Sequence, residues 1–200
     1  MSQASFPPTL LRGFIETARE VAEPDALAAL FKQHSLPEAW LDPGAAGRLD
    51  AASAAGAYVE IQRALRVYFG RGARGTLLRI GRILWAKALD TAPVGIKAQS
   101  RIVRGLPANL RPKAALELLA KLLGGRGRVN VHTLDLDLVL VDRASPLAAG
   151  PHGDDSACYV TLGLIQGALS WAAGHEMDVE ETSCRAAGAV TCEFRIKTGG

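Results

Sequence analysis

No stretch of this sequence reaches the roughly 18 consecutive apolar residues that a membrane-spanning helix needs, so no span is expected. The amino end, Met1-Ser2-Gln3-Ala4-Ser5-Phe6-Pro7-Pro8, has no charged start leading into an apolar core. A secretory leader is therefore not expected, and a reducing, cytoplasmic setting is. Aromatics are scarce: only Tyr58, Tyr68, Phe69 and Trp85 interleave with the basic part of the chain, too few for a base-stacking platform. Nucleic acid is not an expected partner. No Ser-His-Asp order, paired catalytic carboxylates or nucleotide loop can be assembled, so the residues by themselves do not point to an enzyme. Cysteine is limited to three, an odd number that argues against a disulfide framework.

Charge is unevenly spread behind the net +3. Residues 1–59 carry 4 basic and 7 acidic groups, residues 60–128 carry 15 and 3, and residues 129–200 carry 4 and 10. A strongly basic middle segment suits an anionic partner or a carboxylated ligand; solvated helix faces are the alternative.

The first 125 residues read as helices. Apolar residues recur at helical spacing over Leu10–Val21 and again from Leu27, and a loop follows around Pro37, Pro43 and Gly44. Asp50 is the expected cap of a long helix over 50–69. Gly70-Arg71-Gly72-Ala73-Arg74-Gly75 spells G-x-G-x-x-G, but helix rather than strand precedes it, so an interhelical elbow is expected and not a dinucleotide site. A helix from about Ala73 to Leu89 ends at Pro93 and Gly95. A basic, less regular stretch follows, and then a helix over Pro112–Leu123.

From Arg128 the apolar period changes to two, giving expected strands near 128–133 and 136–142 with a turn at Asp135. A loop is expected over 145–155. Cys158 then opens an apolar helix, with Gly163 and Gly167 keeping it thin enough to lie close on a sheet. Its amino end should favour the thiolate of Cys158. Strands near 176–182 and 190–197 close the chain, turning about Gly188. The fold class is α+β: an N-terminal helical bundle, residues 1–125, packed on a small antiparallel sheet in residues 126–200.

The three cysteines and one glutamate form the pattern C-x22-E-x2-C-x7-C over Cys158, Glu181, Cys184 and Cys192. Alternation along the strand carries Glu181 inward and leaves Glu180 outside, and a buried carboxylate needs a cation. Three thiolates and a carboxylate make a full tetrahedral zinc shell, with no position left for a substrate. Such a zinc is structural. Plain buried thiols, or a Cys184–Cys192 disulfide with a spare thiol, are the alternatives.

Over residues 129–197 the chain resembles the vinyl-4-reductase (4-vinyl reductase) domain. The resemblance rests on Tyr159-x3-Gly163, Gly167, Glu181-x2-Cys184, Arg185-Ala186-x-Gly188 and Cys192-x-Phe194-x-Ile196. That family binds small molecules and occurs in bacterial regulators and in proteins linked to bacteriochlorophyll synthesis. Its phenol-sensing members hold zinc at the positions matching Cys158, Glu181, Cys184 and Cys192. The fold is similar to that of trafficking-complex subunits, which are dimeric and enclose an apolar cavity, so a homodimer is implied.

The expected function is binding of an apolar or aromatic small molecule, such as a tetrapyrrole or a hydrocarbon, by a sensor or carrier. Tyr58, Tyr68, Trp85 and His132 are candidates for the lining of its pocket, with core packing as the competing role of each. The resemblance also implies an accessory factor or reductase of bacteriochlorophyll synthesis, or a protein-interaction adaptor, as alternatives.

Overall fold

The structure, a computed structural model, describes residues 4–125, 127–149 and 158–198. α1 (Pro8–Val21) and α2 (Pro24–Gln33) both open on proline, whose fixed φ and missing N–H suit a first helical turn. Asp42 caps the single turn α3 (Pro43–Ala46), which lies where a loop is expected. Asp50 caps α4 (Ala51–Phe69), accepting from the backbone N–H groups of Ala52 and Ser53. Gly70 then takes φ +50°, and a 3-10 turn over Gly70–Gly72 leads into α5 (Ala73–Thr91). The glycine-rich stretch is the elbow its helical context implies.

The stretch expected to be irregular is instead helix α6 (Val94–Gly105), followed by α7 (Arg111–Leu122). Local sequence hides α6 because Pro93 and Gly95 read as the stop of the preceding helix, whereas Pro93 is the cap from which α6 starts; Val103 alone is buried.

The sheet has strand order β1-β2-β4-β3, antiparallel throughout. β1 (Val129–Leu134) and β2 (Asp137–Asp142) form a hairpin whose turn residue, Asp135, sits at φ +53°. β4 (Cys192–Ile196) pairs with β2, and β3 (Val179–Ser183) flanks β4 as the second edge. Alternation decides the faces. Leu138 lies opposite Ile196, Leu140 opposite Phe194 and Asp142 opposite Cys192, all buried, while the outward side carries residues such as Arg195. Of the loop expected over 145–155, Pro146–Ala149 is a 3-10 turn, and the part from Gly150 to Asp155 lies outside the described residues.

α8 (Tyr159–Ala173) connects β2 to β3 and is buried well beyond one face, with Val160 through Ile165 all enclosed. It runs alongside α5 in the same direction. A Cβ on Gly163 would stand 2.2 Å from the Leu78 carbonyl oxygen, and one on Gly167 would stand 3.1 Å from the Arg82 carbonyl oxygen and from Trp85 Cβ. The two glycines therefore thin α8 against α5, not against the sheet as the local pattern suggests. One core runs from Phe6 in the helical half to Ile196 in β4.

Candidate metal centre

Four elements deliver the four donors. Cys158 is the residue before the first turn of α8 and is buried. Glu181 lies in β3, half-buried on the inward side, with Glu180 exposed on the other. Cys184 follows β3, and Cys192 opens β4. Between the two cysteines, a 3-10 turn over Arg185–Ala187 ends at Gly188, whose φ of +93° is the left-handed conformation glycine adopts freely. The Cys184 carbonyl accepts from the N–H groups of Ala187 and Ala189, each at 3.1 Å, which closes the turn.

A bulge makes the set possible. Glu181 pairs with Phe194, but the next pairing joins Ser183 to Glu193, so Thr182 is an extra residue in β3. In a regular strand Glu181 and Cys184, three apart, would face opposite ways. The inserted residue resets the alternation and turns both inward.

Cys158 Sγ stands 3.8 Å from Cys184 Sγ and 3.6 Å from Cys192 Sγ, and one donor atom from each of the four residues lies within 4.8 Å of the others. A disulfide needs about 2.05 Å, and none of the three cysteines is in one. Donors held about 2.3 Å from a tetrahedral ion stand about 3.8 Å apart, the spacing seen here.

The electrostatics also call for a cation. Burial pushes the Glu181 carboxyl up to about 7, with Cys184 adding to the rise and Cys158 opposing it. Its Oε1 is shielded from solvent and has no hydrogen-bond partner among the described residues. Contacts with Cys184 and Cys192, and then burial, hold the Cys158 thiol well above its ordinary value. That reverses the thiolate expected from its place at a helix start: crowding by acidic neighbours outweighs the helix end. Cys158 acts to lower the Cys192 thiol, but Cys184 and burial together outweigh it, and the thiol is raised. Without a cation the Cys158 and Cys192 thiols are held in their protonated form. With one, each donor gains the charge that its burial otherwise denies. The Arg185 backbone N–H donates to Cys192 Sγ at 3.3 Å, and Ser145 Oγ lies 4.0 Å from Cys158 Sγ. These are the outer contacts that orient metal-bound sulfur. The four residues can hold a metal ion.

The four residues expected to line a pocket do not converge. Tyr58 is in the core, stacked on Phe6 at 4.0 Å and edge-on to Phe14. Tyr68 is exposed near the end of α4, and His132 is exposed on edge strand β1. Trp85 lines a cleft of about 390 Å³ between α5 and α8, which Tyr58, Tyr68 and His132 do not. Arg82, Gln166, Trp171, Glu176 and Met177 join it there. The Trp85 and Trp171 rings meet edge to face at 5.6 Å. Arg82 donates to Gln166 Oε1 at 3.0 Å and pairs with Glu176 at 3.2 Å. Of these, sequence offers only Trp85 as a candidate; the others become neighbours through the long-range pairing of α5 with α8. The cleft starts at Gln166, eight residues along α8 from Cys158, which is about 12 Å of helix.

No curated protein matches this chain by sequence. Among solved structures, the phenol-responsive sensory domain of the transcription activator PoxR, determined with phenol, superposes at a TM-score of 0.52 and 15% identity, covering 72% of this chain and 73% of that one. The H-NOX domain from Shewanella oneidensis in its Fe(II)CO state gives 0.53 at 13% identity over 100% and 99% of the two chains. Unliganded Fe(II) H-NOX protein from K. algicida gives 0.58 at 10% identity over 97% of each. At these identities the shared property is the fold. Residues 139–198, which span β2, α8, β3, β4 and all four donors of the cluster, match the 4-vinyl reductase domain.

Proposed function

We propose that this chain is a zinc-stabilised small-molecule-binding domain, a sensor or carrier whose ligand is apolar or aromatic and sits in the α5–α8 cleft. The observation that carries the reading is the cleft itself. It has the size of a small-ligand site and an aromatic wall of Trp85 and Trp171, with Arg82, Gln166 and Glu176 supplying polar groups. The likeness to a phenol-responsive domain and to H-NOX proteins supports a ligand-binding role.

Cys158, Glu181, Cys184 and Cys192 would hold the zinc, which supplies folding free energy and cross-links α8 to the terminal hairpin. With four protein donors it leaves no position for a substrate, and the cleft lies further along α8. A carboxylated aromatic such as a tetrapyrrole is favoured by Arg82, whose present partner Glu176 is largely exposed and can be exchanged for a ligand carboxylate.

Native mass spectrometry of the purified protein, followed by a thermal-shift panel of phenols, fatty acids and carboxylated porphyrins at low and high salt, tests the reading. A binder at a hundred times its Kd should add about 2.7 kcal/mol of stability. Arg82→Gln should weaken carboxylated ligands selectively, and Trp85→Leu should weaken all of them. No stabilisation by any class, in protein shown to carry no retained ligand, removes the reading.

A further inference from the structure

Helix α6 turns an apolar stripe to solvent. At about 100° per residue, Val94, Ala98 and Ile102 fall on one stripe and Lys97 and Arg101 on the stripe beside it, opposite the buried Val103. Val94 is 84% exposed and Ile102 64%, and Leu110, just before α7, is 50% exposed. Residues 94–121 hold the bases Lys97, Arg101, Arg104, Arg111, Lys113 and Lys121 against the single acid Glu117. Among the described residues no carboxylate pairs with Lys97, Arg101 or Lys113. The helix is anchored from behind: Lys121 donates to Gln99 Oε1 at 2.6 Å, and the Arg104 guanidinium lies 5.1 Å from the Trp171 ring centre.

We propose that this face docks on an anionic lipid surface, with α6 lying in the plane of the head groups. Two kinds of side chain, placed side by side, carry the assignment. The basic stripe is drawn to a negative leaflet, and the aliphatic stripe gains by leaving water at the acyl boundary. No helix among the described residues is long and apolar enough to cross a membrane, so the contact is lateral. A second copy of the chain would bring one basic stripe against another. Nucleic acid would satisfy the charge but would leave two aliphatic side chains with nothing to bury against. The proposal is independent of the cleft: it needs neither ligand nor metal.

Co-sedimentation with sucrose-loaded vesicles tests it, comparing phosphatidylcholine mixed with phosphatidylglycerol against phosphatidylcholine alone. The wild-type protein should sediment only with the anionic vesicles, and less as salt rises. Lys97→Glu with Arg101→Glu should lower binding about tenfold or more, and Val94→Ser with Ile102→Ser several-fold. Because all four side chains are exposed, neither double variant should alter the thermal melt appreciably. The proposal is overturned by absence of vesicle binding in the wild type, or by binding that the serine variant leaves unchanged. It is equally overturned by a concentration-dependent dimer that the serine variant abolishes, or by duplex DNA binding in place of vesicle binding.

Discussion

Gly81 of α5 and Gly163 of α8 meet backbone to backbone: a Cβ on Gly163 would stand 2.9 Å from Gly81 Cα, and a Cβ on Gly81 would stand 2.2 Å from the Val160 carbonyl oxygen. Neither obstacle is a flexible side chain, so the helices would have to move apart. Gly81→Ala and Gly163→Ala should each cost about 1–3 kcal/mol or more, as overpacking does. Gly167→Ala, whose nearest contacts would be 3.1 Å, should cost less. Gly72→Ala meets nothing within 4 Å at a helical φ of −80°, and should be neutral or stabilise by about 0.4–1 kcal/mol. Urea midpoints of the four variants check the order.

Metal removal gives the second prediction. Purified protein should carry about one zinc per chain, the ratio that a single four-donor set implies. Cys184→Ser, Cys192→Ser or treatment with a strong chelator should cost several kcal/mol, lowering the melting temperature by roughly 10 °C or more. Metal analysis beside a thermal melt reads both numbers. Metal-free protein that melts with the untreated sample would sink the expectation.

The metal-free protein should also show an unusual dependence on pH. In the folded chain Glu181 keeps its proton up to about 7, whereas its ordinary value is 4.5. Between those values the metal-free fold binds more protons than the unfolded chain, so its stability falls as pH rises through that window. Metal binding has the opposite sign, because the donors must give up their protons. The gap in melting temperature between metal-loaded and metal-free protein should therefore widen from pH 5 to pH 8. Glu181→Gln should flatten the pH dependence of the metal-free form.

Deleting Thr182 tests the bulge. With the extra residue gone, Ser183 keeps its pairing with Glu193, and Glu181 and Cys184 stand two apart in a regular strand, both still facing inward. Far-ultraviolet circular dichroism and zinc content should both be largely retained. Loss of zinc in the deletion variant would show that the kink of the bulge, and not the alternation alone, places the ligands.

How much of this is legible in the sequence depends on how local the signal is. Cysteine is rare here, so the spacing of Cys158, Cys184 and Cys192 with Glu181 stands out, and alternation in β4 is plain from Cys192, Phe194 and Ile196. The same alternation applied to β3 would send Cys184 outward. Only the pairing with β4 reveals that Thr182 is extra. α6 is hidden because Pro93 and Gly95 look like a helix stop, while in the fold Pro93 caps the start of a new helix. Gly163 reads locally as a contact with the sheet because nothing nearby in sequence points to Gly81, 82 residues earlier. The cleft is hidden for the same reason: Arg82 and Glu176 are neighbours only in the folded chain.

The glycine contact also acts on residues that it does not touch. α5 and α8 run side by side, and the cleft lies just past the point where Gly81 and Gly163 touch, with Arg82 and Trp85 on one side and Gln166 and Trp171 on the other. The same closeness continues at Gly167, inside the lining, so the glycines act as a spacer that fixes how far apart the two walls stand. The depth of the cleft is set by how closely two backbones approach as well as by the side chains that line it. A methyl group added at Gly81 or Gly163 should shift the walls, and ligand affinity should change although no lining residue had been altered.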